Sequence, residues 1–172
     1  MADLPDRISI AGPPCSGKTT IGEALAGLAG RPFVDLDSEV AREAGLSIPS
    51  IFEAYGEDGF RGVERSALLS ILRRSGRFVL ALGGGTLLDP LNLAAVQEKS
   101  TLVTLLVPAG TLLERLEGSA RPLAADREAF SGLLASRSDH YGSLPGGIDC
   151  AGRSPVGCAE AIIAMLSGEA GS

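Results

Sequence analysis

Apolar and polar positions along the chain change period several times. "RISIAG" at 7–12 reads as a short strand entering a glycine turn, and "KTTIGEALAGLAG" at 18–30 carries helical spacing that stops at glycine. "FVDLD" at 33–37 reads as a second short strand. From Ser38 to Ser75 the pattern is helical in pieces, with Pro49 at a helix start and Gly56 and Gly59 as interruptions, and it predicts an inserted helical layer. "FVLALGGG" at 78–85 and "TLVTLLV" at 101–107 are apolar runs without a polar face, as strands of a parallel sheet covered on both sides require.

A short helix is predicted over Leu112 to Glu117, then "GSARPLAADRE" at 118–128 breaks the pattern with polar residues and proline, as a mobile lid would. A helix follows from Glu128 to Tyr141. The stretch "GIDCAGRSPVGCAEAIIAMLSG" then offers a short strand, a loop and a last helix with Ser154 as N-cap and Pro155 at N1. Five strands with helical crossovers predict an α/β domain in three αβα layers.

Composition narrows the partners. At 172 residues the chain suits one domain, so the reading is a single domain over 1–172. A net charge of -6 disfavours a broad nucleic-acid surface and directs attention to a small molecule. No run of about 18 apolar residues and no basic-then-apolar leader is present, so no membrane and a cytoplasmic location are expected. Cys15, Cys150 and Cys158 form neither a CxxC pair nor an even set, which disfavours a disulfide framework or structural zinc.

Candidate chemistry begins at "GPPCSGKT", residues 12–19, a G-x-x-x-x-G-K-[ST] phosphate loop between a predicted strand and a predicted helix. The loop of Gly12, Pro13, Pro14, Cys15, Ser16 and Gly17 would wrap phosphate oxygens, with backbone N–H groups donated by its non-proline residues and helped by the positive end of the helix that carries Thr20. Lys18 would bridge the β- and γ-phosphates of ATP, and Thr19 would place its hydroxyl on Mg²⁺. Cys15 occupies a position where many such loops have another glycine.

Strand alternation along "FVDLD" points Asp35 and Asp37 to the same side, at the carboxyl end where open α/β sheets bind ligands. One carboxylate could serve Mg²⁺ through water while the other accepts or orients the proton of an attacking hydroxyl. The competing role is helix capping by Asp37. Arg61 and Glu64 are spaced i, i+3 on a predicted helix, close enough to pair.

These residues resemble the shikimate kinase family of P-loop kinases nearly end to end. The matching elements are the phosphate loop, the D-x-D of Asp35 and Asp37, "I-x-x-I-F" at 48–52, "G-E-x-x-F-R-x-x-E" at 56–64, Gly83 to Gly85, "R-P-L" at 121–123, and Arg137 with Tyr141. The resemblance implies a five-stranded parallel sheet, a helical substrate-binding insertion at about 38–66, and a mobile lid at about 118–128. It implies phosphorylation of the 3-hydroxyl of shikimate by Mg²⁺-ATP, giving shikimate 3-phosphate and ADP. In that scheme Asp37 holds the ring hydroxyls and acts as base or orienter, and Asp35 reaches the metal through water. Arg61, Arg137 and the amides of Gly83, Gly84 and Gly85 hold the carboxylate. Arg121 is the lid arginine, and Arg115, Arg153 and Pro155 face the adenine. A monomer is expected.

Leu36 stands where the family usually has Thr or Ser, Ala41 where an acidic residue is common, and Ala124 where the lid often has Leu. None of these removes a group assigned to chemistry, but they leave room for another acceptor. A kinase of gluconate or another sugar acid is one alternative, and a non-catalytic nucleotide-binding paralogue is another. His140, the single histidine, is expected in a surface or structural part.

Overall fold

A computed structural model describes residues 4–117 and 127–168. Arg7–Ala11 forms β1, Phe33–Asp35 β2, Phe78–Ala81 β3, Thr101–Leu106 β4 and Gly147–Asp149 β5. They make one parallel sheet in the order β2-β3-β1-β4-β5. The helices are α1 (Lys18–Leu28), α2 (Leu36–Ala44), α3 (Ile48–Leu72), α4 (Pro90–Lys99), α5 (Ala109–Glu117), α6 (Arg127–Ser143) and α7 (Pro155–Leu166).

The apolar strands bury side chains in both directions, which explains their lack of a polar face. Ile8, Ile10, Val79, Val103 and Leu105 pack with Leu25 of α1 and Ile162 of α7 on one face. Ala11, Phe78, Leu80 and Leu102 pack on the other with Leu36 and Val40 of α2, Ile51, Leu68 and Ile71 of α3, and Val96 of α4. Phe130 and Leu134 of α6 join Leu112 and Leu116 of α5 in a smaller cluster that also takes up Cys15. Cys150 and Cys158 are buried in the first of these clusters.

Several expectations change in detail. The second strand stops at Asp35, and Asp37 lies in the first turn of α2, so strand alternation does not set its direction. Asp35 caps α2 by accepting from the Ser38 amide at 2.9 Å, so the capping role considered for Asp37 falls to Asp35. Leu36 and Val40, one helical turn apart, fill the core and hold this junction in a helix. Gly56 interrupts α3 with φ 68° and ψ −172°, whereas Gly59 is helical and interrupts nothing. A 3-10 turn at Thr86–Leu88 and the helix α4 fill a stretch to which the apolar pattern assigned no element. Ser154 caps α7 through the Gly157 amide, with Pro155 opening the helix as predicted.

Candidate active site

The carboxyl ends of β1, β2 and β3 bring three segments together. The first is the phosphate loop, in which Gly12 and Gly17 have φ of 154° and 94°, values that side chains resist. Cys15 also takes a left-handed φ of 65°, which explains why glycine suits this position elsewhere. Lys18 crosses back over the loop and donates from Nζ to the carbonyls of Gly12 and Pro13, each at 2.8 Å. Arg115, on α5, donates from Nη1 to the carbonyls of Cys15 at 3.2 Å and Ser16 at 3.1 Å. Pro14 packs beside Gly84, and Thr20 is exposed on α1.

The second segment is the end of β2 and the start of α2. Thr19 donates its hydroxyl hydrogen to Asp35 Oδ2 at 3.0 Å, which places two hard oxygen donors side by side at the helix start. Such a donor pair fits Mg²⁺, which uses one or two protein ligands and keeps several waters. Asp37 is exposed, and its Oδ1 lies 3.3 Å from where a side chain on Gly83 would begin.

The glycine turn is the third. A Cβ on Gly85 would stand 2.5 Å from Arg61 Nη2, and one on Gly84 would stand 2.9 Å from Pro14 Cγ. Only glycine allows this approach of the turn to a guanidinium on one side and to the phosphate loop on the other. The Gly84 carbonyl accepts from Tyr141 Oη and, at 3.5 Å, from Arg137 Nη1. Burial pushes the Tyr141 phenol up, which keeps it a proton donor. Arg61 and Arg137 therefore meet at one glycine turn although α3 and α6 supply them separately.

Arg61 Nη1 is paired with Glu64 Oε2 at 2.7 Å, and Glu64 is 1% exposed. The i, i+3 spacing foretold the pair, but its burial makes it more than a solvated surface contact. Thr86 donates to the other Glu64 oxygen, Oε1, at 2.7 Å, and Asn92 Nδ2 donates to the Thr86 carbonyl at 3.0 Å. The sequence reading missed Thr86 and Asn92, although the Asp89-Pro90 step between them is a helix-start signal.

Arg153 donates from Nε to the Asp149 carbonyl at 3.1 Å, beside the Ser154–Pro155 helix start. His140 is half-buried, stacked edge-on against Tyr141 at 5.5 Å, in keeping with a structural place. Arg121 and the rest of the lid sequence from 118 to 126 lie outside the described residues. A cavity of about 370 Å³ is lined by Pro13 of the phosphate loop, Pro108, Leu112 of α5, Leu134 and Tyr141 of α6, and Asp149 of β5. The acceptor-side group of Asp37, Arg61 and Arg137 is not part of it. Among the described residues, no group of three His, Cys, Asp or Glu could hold a metal and no helix is long and apolar enough to cross a membrane.

A family profile described as shikimate kinase matches residues 14–166. A shikimate kinase of Nitrosomonas europaea is 44% identical over 112 residues, which are 65% of this chain and 53% of that protein. One from Geobacter sulfurreducens is 39% identical over 143 residues, 81% of this chain and 78% of that one. Among solved structures, the shikimate kinase from Acinetobacter baumannii in complex with shikimate superposes with a TM-score of 0.88 at 32% identity, covering 99% of this chain and 97% of that one. With its phosphate loop, parallel sheet and paired arginines in place, the chain belongs to the shikimate kinase family.

Proposed function

We propose that this protein transfers the γ-phosphoryl group of ATP to the 3-hydroxyl of shikimate, giving shikimate 3-phosphate and ADP, a step toward chorismate and the aromatic amino acids. The observation that carries this reading is the convergence of Arg61 and Arg137 on the Gly83–Gly85 turn, a few ångströms from Asp37 and against the phosphate loop. A small acid bearing hydroxyls needs a guanidinium fork at one end and a carboxylate at the other, both facing the phosphate donor.

In this scheme Asp37 accepts or orients the proton of the attacking hydroxyl, and Lys18 exchanges its bonds to the loop carbonyls for the phosphate oxygens. Gly12 to Thr20 hold the phosphates, while Arg115, Arg153 and Pro155 flank the base. Thr19, and Asp35 through water, would hold Mg²⁺, which when bound neutralises phosphate charge. Arg121 is assigned to the transferring phosphate by resemblance. The segment at about 38–66 serves as the acceptor-binding insertion of a single-domain enzyme. The protein is proposed to act as a monomer in the cytoplasm, where ATP is supplied.

The test is ADP production by purified protein with Mg²⁺-ATP and shikimate, gluconate or no acceptor, with Lys18→Ala as blank. Turnover with shikimate alone is expected. Turnover with gluconate alone would overturn the acceptor, and normal ATP binding with no turnover on any acceptor would overturn the enzyme reading.

A further inference from the structure

A chain of buried polar side chains runs from α4 to the acceptor side and ends on Arg61. Asn92 Nδ2 donates to the Thr86 carbonyl at 3.0 Å, Thr86 Oγ1 donates to Glu64 Oε1 at 2.7 Å, and Glu64 Oε2 accepts from Arg61 Nη1 at 2.7 Å. Thr86, Glu64 and Asn92 are all buried, whereas the Arg61 side chain is 31% exposed. The chain thus begins in the core and delivers one guanidinium to the surface of the site.

A buried carboxylate held at one oxygen can still turn about its last torsion, which is broad and soft. Thr86 removes that freedom by holding the second oxygen, so the direction in which Glu64 receives Arg61 is set. Thr86 is itself held twice, because its amide donates to the Gly83 carbonyl at 3.2 Å while its own carbonyl is held by Asn92. The residue that closes the glycine turn therefore also orients the acid behind the guanidinium. Arg61 has a competing anion in Glu57, 3.5 Å from Nη2 and largely solvent-exposed, toward which it can swing once Glu64 loses its orientation.

We propose that Thr86 is a positioning residue for the acceptor's carboxylate: through Glu64 it aims Arg61 at the Gly83–Gly85 turn, and so sets acceptor affinity rather than the rate of transfer. This rests on the reading of Arg61 as a carboxylate-holding residue, and the test separates the two.

Thr86→Val removes the hydroxyl while keeping the side-chain shape, and Thr86→Ser keeps the hydroxyl. Steady-state kinetics should show the valine variant with a KM for shikimate raised about tenfold, kcat within about threefold and KM for ATP unchanged, from loss of a hydrogen bond to a charged group. Serine should restore the wild-type KM, and adding Thr86→Val to Arg61→Ala should raise KM no further than Arg61→Ala alone. A wild-type KM for shikimate in the valine variant, with Arg61→Ala raising it, overturns the positioning role and leaves the carboxylate reading intact. So does a valine variant that loses kcat and both affinities together. An Arg61→Ala protein with unchanged KM overturns the carboxylate reading itself. If Thr86→Val does not fold, Thr86→Ala is measured in its place and read the same way.

Discussion

Asp35 divides its two carboxylate oxygens between Thr19 and the start of α2: Oδ2 accepts the Thr19 hydroxyl at 3.0 Å and Oδ1 accepts the Ser38 amide at 2.9 Å. One side chain thus ties the phosphate loop to the helix that carries Asp37. The two duties separate by substitution. Asparagine caps a helix about as well as aspartate but brings no charge to a metal, so Asp35→Asn should keep its stability while ADP production demands more Mg²⁺. Asp35→Ala should lose both, with Tm lowered by roughly 2–4 °C for a cap worth about 1 kcal/mol. Equal melting temperatures for the two variants would remove the cap, and an unchanged Mg²⁺ requirement would remove the metal role.

Asp37 stands in the first turn of α2, which Asp35 caps, and its Oδ1 lies beside the glycine turn, 3.3 Å from where a side chain on Gly83 would begin. Asp37→Asn should lower kcat by about 10²–10⁴ while leaving ATP affinity within about twofold. Turnover close to wild type would take Asp37 out of the chemistry.

Gly85 is a probe of the guanidinium from the opposite side. A methyl there would begin 2.5 Å from Arg61 Nη2 and 3.1 Å from Cζ, so the flexible end of Arg61 must move while the backbone stays. Gly85→Ala should therefore raise KM for shikimate about tenfold with Tm changed by no more than about 2 °C, a displacement costing about 1.4 kcal/mol. An unaltered KM would place the carboxylate elsewhere.

His140 offers a clean reporter because the chain has one histidine. Burial, and then the positive charge of Arg137, hold its pKa below the usual 6.5. The unfolded chain consequently binds more protons below pH 6.5, and stability should fall as pH drops through the window between 6.5 and the lower folded value. A shikimate carboxylate docked on Arg137 would cancel part of the field, so the His140 NMR titration should move upward when shikimate is added. No movement would argue against Arg137 as a ligand-binding arginine.

The three cysteines should differ in reactivity. Burial, with Cys158 alongside, pushes the Cys150 thiol up to about 12, so it remains protonated and inert at pH 8. Cys15 is half-buried in the phosphate loop. Iodoacetamide should label Cys15 before the other two, with ATP protecting it and labelling abolishing ATP binding, as mass spectrometry and a binding titration would show. Modification of Cys150 first would contradict its burial.

Most of the scaffold was legible because it rests on local signals. The apolar runs of β1, β3 and β4, the glycine-lysine-threonine loop and the Ser154–Pro155 helix start each carry their cause within a few residues. Asp35 and Asp37 were harder, since two alternating positions fit a strand end or a first helical turn equally. The deciding cue was the Leu36 and Val40 pair, a helical spacing that buries both in the core. The burial of Glu64 could not be read from its spacing to Arg61, because the partner of its second oxygen, Thr86, comes from the 3-10 turn that follows β3, far along the chain. The same holds for the meeting of Arg137 with Gly84, which depends on α6 packing over the turn.

The strand order has a consequence for how the chain reaches this state during synthesis. β1 is made first, yet it is hydrogen-bonded on both edges, to β3 and to β4, and neither exists until much of the chain has followed. Every pairing is parallel, so no hairpin can shelter the early strand, and α1 gains its partner α7 later still. The nascent segment from Arg7 to Ala11 is therefore an apolar ribbon that waits, and a ribosome stalled before Leu106 would hold a sticky, half-made sheet.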